Sequence, residues 1–338
     1  MLKSSKKLFI TGSAGFIGFH LSKFFLEKGF LVSGFDGFTE YYDLNLKKSR
    51  HRQLLEFENF SFVEGMLENK KALSEALVKS EPNIVFHMAA QAGVRYSIEN
   101  ADAYSNSNFL GTFNLLEELK SSDLEHFIFA STSSVYGANN QLPFKENHST
   151  DTPLSFYAAT KKACEVMTFS YANLYNIPTT CVRFFTVYGP WGRPDMALFK
   201  FTKAILEERH IEVFNNGDLY RDFTFIDDLV IGLSKLMEKP PGGRLDLQND
   251  TYINSNAPWR VVNLGNSSPK NLGYFIEILE TSLNKKAKIS YKEMQKGDLL
   301  KTYADVSFLK DLTGYVPKTN LEVGIKKFVK WYREYYDC

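Results

Sequence analysis

The stretch "TGSAGFIGFH", Thr11 to His20, constrains the fold of this chain more than any other. Gly12, Gly15 and Gly18 stand at spacing G-x-x-G-x-x-G, directly between the apolar run "LFIT" and an amphipathic stretch near 15–28. Strand, glycine turn and helix together open a unit whose next strand must run parallel to the first. The alternation continues. "LVSGF" (31–35), "FSFV" (around 61–63), "NIVFHM" (83–88), "HFIFAS" (126–131) and "TTCVRFF" (179–185) read as strands. Between them lie helix patterns near 69–79, 101–120 and 155–175. Strands this apolar belong to a parallel sheet covered on both faces, so the class is α/β with a doubly wound parallel sheet.

After about residue 185 the texture changes. Loops lengthen, Pro, Gly and Asn cluster in "YGPWGRPDM", "NNGD" and "EKPPGGRLDLQND", and helix patterns recur near 197–208 and 321–336. The chain therefore divides into residues 1–185 and a smaller carboxyl-terminal α/β part, 186–338, with segments interleaved between them. Its 338 residues suffice for both.

The glycine turn acquires a ligand once Asp36 is considered. A turn of this kind brings backbone N–H groups and the positive end of a helix to a diphosphate. An acid some twenty residues on completes the pattern, and Asp36 ends the second strand in "GFD". Its carboxylate accepts from ribose hydroxyls and repels a 2′-phosphate, which favours NAD over NADP. Without strand, helix and acid, the triplet would read as a glycine-rich turn only.

"YAATK" sets Tyr157 and Lys161 four residues apart, on one face of a helix. The stripe Ala163, Val166, Met167 and Leu174 points elsewhere and is expected to face the core. An ammonium beside the phenol is expected to lower the tyrosine pKa from near 10, fitting Tyr157 to exchange a proton with a substrate alcohol. "STSSVYG" (131–137) adds three consecutive hydroxyls, Thr132, Ser133 and Ser134, at a carboxyl-terminal strand end, the edge where open α/β sheets bind ligands.

Together "TGSAGFIGFH", "HMAAQAGVRYS", "STSSVYG", "YAATK", "RFFTVYGPWGRPDM", "RDFTFIDD" and "GDLLKTYAD" resemble the extended short-chain dehydrogenase/reductases acting on nucleotide sugars, and most of all the UDP-glucuronate 4-epimerases. The resemblance runs almost end to end. It implies a Rossmann-like sheet with NAD along Gly12, Gly15, Phe16, Ile17, Gly18, Asp36, Met66, Leu67, Ala89, Ala90, Gln91, Asn108, Tyr157 and Lys161. It implies a UDP-sugar against Arg95, Ser97, Thr186, Arg193, Met196, Phe214, Arg221 and Asp298. Thr186 and Arg193 would surround a uronate carboxylate, Arg221 the diphosphate, and Phe214 the uracil. Met66, in "EGML", departs from the aspartate that commonly touches adenine in such proteins. Related dehydratases carry Asp-Glu at the positions of Ser133 and Ser134, and related decarboxylases Glu at Ser134. With both acids missing, the resemblance implies that a 4-ketosugar takes its hydride back on either face, which is 4-epimerisation.

Two other readings differ in substrate and in class: a 4-epimerase of a neutral or N-acetylated UDP-hexose, and a catalytically silent NAD-binding protein. A formal net charge of +1 gives no reason to expect nucleic acid or a membrane as partner. Cys164, Cys181 and Cys338 match no metal-ligand spacing and read as free thiols, and His87 as a core residue. The start lacks the apolar core of a secretory signal, so the expectation is a cytoplasmic protein. The resemblance adds a homodimer through the helices near 101–120 and 155–175.

Overall fold

The computed structural model describes residues 6–242, 257–294 and 299–338. Twelve strands occur among them: β1 (Lys7–Thr11), β2 (Leu31–Asp36), β3 (Phe60–Glu64), β4 (Ile84–His87), β5 (His126–Thr132), β6 (Thr179–Phe184), β7 (Thr186–Tyr188), β8 (His210–Phe214), β9 (Tyr220–Phe225), β10 (Trp259–Leu264), β11 (Pro269–Asn271) and β12 (Lys288–Lys292). Seven form one sheet in the order β10-β6-β5-β4-β1-β2-β3, every pair parallel. The order reverses between β1 and β4, and a crevice opens there at the carboxyl ends of the strands. β4, β5 and β6 are buried throughout, as strands of a parallel sheet covered on both faces are.

The later segments build two small sheets, β11-β9-β7 and β12-β8. They also return to the first sheet: β10 adds itself to the β6 edge, and helix Ile226–Met237 packs on helix Phe16–Glu27. The aromatic side chains of Leu321–Tyr336 close over Phe199 and Trp191.

Two helix expectations are corrected. The run near 101–120 is not one α-helix: Ala101–Tyr104 and Gly111–Leu119 are joined by a π-helical segment, Ser105–Leu110. Such segments collect at functional sites, and this one carries Asn108. On helix Phe156–Tyr175 the stripe Ala163, Val166, Met167, Leu174 faces the core only in part: Met167 packs against it, whereas Val166 and Leu174 are exposed. The buried residues are Ala158, Thr160, Lys161, Cys164, Glu165, Thr168 and Ala172, so Lys161 shares the core side. Apolar periodicity misled because this helix buries polar groups that have partners and exposes aliphatic ones.

Candidate active site

One cavity of about 1860 Å³ runs along the carboxyl edge of the sheet. At one end the glycine turn is shaped by close approach. A Cβ on Gly18 would lie 2.0 Å from the Gly12 carbonyl oxygen, and Gly12 itself adopts φ +73°. The chain can thus bring bare backbone and a helix start to the wall, as a diphosphate requires. Asp36 ends β2 at the same wall and orients the turn, accepting from Ala14 N at 3.0 Å and Phe38 N at 2.9 Å. Met66, Leu67, Ala89, Ala90 and Gln91 continue the wall past β3 and β4. These residues fit a dinucleotide. Asn108 does not line the cavity. It is buried behind it, accepts from Gln91 N at 2.8 Å, and donates to Gln91 O at 3.0 Å and Thr160 Oγ1 at 3.1 Å, fixing that loop to helix Phe156–Tyr175.

The helix starts at Ser155, whose Oγ accepts from Ala158 N, and this sets Tyr157 in its first turn at the cavity wall. Thr132, Ser133 and Ser134 reach the same wall from the end of β5. The Thr132 hydroxyl lies beside the Tyr157 phenol, accepts from Ser134 N at 3.1 Å and donates to Ser134 Oγ at 3.2 Å. The expected lowering of the tyrosine pKa by Lys161 is corrected. Burial raises it, and Thr132 and Arg193 pull only partly against that. Lys161 donates instead to the Ala130 carbonyl at 2.8 Å, and burial lowers its own pKa to about 8. Beneath this layer Glu165 accepts from Ser131 Oγ at 2.6 Å and takes both forks of Arg183 at 2.9 Å, so the β5 end rests on a buried ion pair.

Thr186, Arg193, Met196, Phe214, Arg221 and Arg95 face the far end of the cavity. The Arg95 guanidinium lies 4.9 Å above the Phe214 ring. Arg193 both lines the cavity and forms an ion pair, its Nε meeting Asp195 Oδ1 at 3.0 Å and its Nη2 meeting Oδ2 at 2.5 Å. Tyr41 also donates to Asp195, at 3.1 Å. Ser97 is corrected: it is buried, its hydroxyl donates to Val94 O at 2.6 Å, and it closes a turn rather than facing the cavity. Asp298 lies outside the described residues. Sequence reasoning missed Tyr41 and Asp195. Asp195 stands in the quoted "RPDM", but nothing in its spacing announces a partner in "YYD", over 150 residues earlier.

Residues 9–328 match the model of the GDP-mannose 4,6 dehydratase family. The chain belongs to that family. It is also 47% identical over 330 residues, 97% of each chain, to a probable UDP-glucuronate 4-epimerase of Rhizobium meliloti (strain 1021). UDP-glucuronate 4-epimerase 1 of Arabidopsis thaliana is 44% identical over 97% of this chain and 76% of its own. Among solved structures, UDP-glucuronic acid 4-epimerase from Bacillus cereus in complex with UDP-glucuronic acid and NAD aligns with a TM-score of 0.87. It is 32% identical and covers 98% of this chain and 100% of that one. Family members thus include epimerases as well as dehydratases, and the side chains at the cavity must decide between those reactions. Among the described residues no helix is long and apolar enough to cross a membrane.

Proposed function

We propose that this chain is an NAD-dependent UDP-glucuronate 4-epimerase, interconverting UDP-glucuronate and UDP-galacturonate through a 4-keto intermediate. One observation carries the choice of reaction: the end of β5 meets Tyr157 with hydroxyls alone. Among the described residues the acids on the cavity wall are Asp36 at the end of β2, Asp43 beyond it, Asp195 paired with Arg193, Glu207 before β8 and Glu212 within it. None stands with Thr132 and Tyr157. Elimination of water needs an acid to protonate the leaving hydroxyl and a base at C5, and serines at 133 and 134 supply neither.

Bound NAD supplies a reversible hydride acceptor for C4 and, when oxidised, a positive charge that favours the phenolate. Tyr157 holds and returns the O4 proton, sharing it with Thr132. Lys161, fixed on the Ala130 carbonyl, keeps an ammonium beneath the site. Thr186 and Arg193 face the sugar's C5 carboxylate. A 4-keto uronate loses carbon dioxide when its carboxyl bond aligns with the ketone π system, and directional hydrogen bonds from a guanidinium hold it out of alignment. Arg221 meets the diphosphate and Phe214 the uracil.

Product analysis after incubation with UDP-glucuronate tests the reading: UDP-galacturonate should dominate, and UDP-xylose or released carbon dioxide as main product would reject it. Replacing Arg193 with Ala should raise KM for UDP-glucuronate about tenfold or more and increase carbon dioxide release, as loss of a charged hydrogen bond implies. UDP-glucose should respond little. Equal effects on the two sugars would favour the neutral-hexose reading.

The reading includes a cytoplasmic homodimer. Supporting it, Phe109, Leu110, Phe113, Val166 and Leu174 expose apolar surface on two helical segments that pack together. A two-fold axis across this face would bury it against its own copy. Leu174→Glu should shift the sedimenting species from dimer to monomer; a monomeric wild-type chain would discard the proposal.

A further inference from the structure

The turn that precedes Arg193 is gripped from the dinucleotide side of the molecule. His20, two residues beyond Gly18, meets the Pro190 carbonyl through Nε2 at 2.9 Å. A carbonyl only accepts, so Nε2 carries the proton. Arg50, from helix Leu44–Leu55, donates through Nη2 to the carbonyls of Trp191 at 2.7 Å and Gly192 at 3.2 Å. Through Nη1 it donates to the Ala14 carbonyl in the glycine turn at 3.1 Å and to the Tyr42 hydroxyl at 2.8 Å. Three consecutive carbonyls immediately before Arg193 are therefore held by two side chains that flank the glycine turn.

The grip falls where the backbone needs it. Trp191 adopts φ +60°, a region that a non-glycine residue keeps only when its surroundings impose it. Its ring packs on Phe19, the neighbour of His20, at 5.7 Å. Arg50 is fully buried, has no hydrogen-bond partner at Nε, and forms no ion pair among the described residues. A buried cation without an anion is costly, and an apolar side chain would fill the space at lower cost. Packing alone does not account for an arginine here. A planar fork that reaches two turns at once does.

We propose that Arg50, assisted by His20, is a positioning residue that couples the dinucleotide turn to the Arg193 loop, so that the carboxylate-reading arginine is in register only when both turns are in place. The proposal rests on the reading of Arg193 given above. Arg50→Lys keeps the charge but replaces the planar fork with a single ammonium nitrogen. Calorimetric titration of the full-length variant should show UDP-glucuronate affinity falling about tenfold, the scale of a charged hydrogen bond, while UDP-glucose changes by less than about twofold. In the wild-type chain, added NAD should strengthen UDP-glucuronate binding more than UDP-glucose binding, and in Arg50→Lys that difference should vanish. Equal losses for both sugars, or no loss, would overturn the coupling. Arg193→Ala is the reference: no loss of UDP-glucuronate affinity there defeats the carboxylate reading, whereas loss there with none in Arg50→Lys defeats the coupling alone. If Arg50→Lys does not fold, the wild-type titration decides, and equal strengthening of both sugars by NAD overturns the proposal.

Discussion

Tyr157→Phe is expected to lower epimerisation of UDP-glucuronate by about a thousandfold, the contribution of a positioned acid and base, with the fold unchanged. The phenol stands at the cavity wall beside Thr132, and the substitution removes one oxygen without opening a cavity. Circular dichroism should match the parent chain, while single-turnover mixing with UDP-glucuronate should show almost no UDP-galacturonate. Near-parental turnover would remove Tyr157 from the mechanism. Because burial raises the phenol's pKa, the parental rate should climb as pH increases toward the tyrosine range, and this climb should be absent in the variant.

Glu165→Ala is expected to be the most damaging substitution for stability. Its carboxylate and Arg183 are almost wholly buried, at 2% and 4% side-chain exposure, so truncation strands a guanidinium inside the sheet. Orphaning one member of such a pair costs about 3–5 kcal/mol, a large part of the 5–15 kcal/mol that holds typical domains together. Urea unfolding should show a lowered midpoint or no folded baseline. Glu165→Gln, which keeps the volume and an acceptor for Ser131, should lose less. Burial pushes the Glu165 carboxyl up, but the charge and hydrogen bonds of Arg183 prevail and hold it below its ordinary 4.5. A carboxyl held lower in the folded than in the unfolded chain stabilises above its unfolded value, and that stability is lost as pH falls through the folded one. The gap between parent and Glu165→Gln should therefore narrow as pH drops below 4.5, and a gap independent of pH would refute the ionised pair.

Local pattern made the first sheet legible, because each of β1 to β6 carries its own apolar signal and the glycine turn fixes the first crossover. Tyr157, Lys161, Thr132 and Asp36 were legible for a similar reason: each lies at a strand end or on a helix face whose position the motif sets. Ser97 and Asn108 show where that reasoning stops. Both adjoin residues on the wall, yet their side chains turn inward to backbone groups, and sequence adjacency does not encode direction. The Tyr41–Asp195–Arg193 cluster was invisible for another reason: it exists only after two distant loops meet. The helix Phe156–Tyr175 departs from its expected faces at Val166 and Leu174 because Glu165 and Lys161 are buried with partners, which hydropathy cannot register.

The lateral position of β10 has a consequence for biosynthesis. β6 is synthesised before Trp259–Leu264 exists, so the nascent polypeptide carries an open strand edge until that later segment follows. A folding step that waits for Trp259–Leu264 is written into the order of the strands.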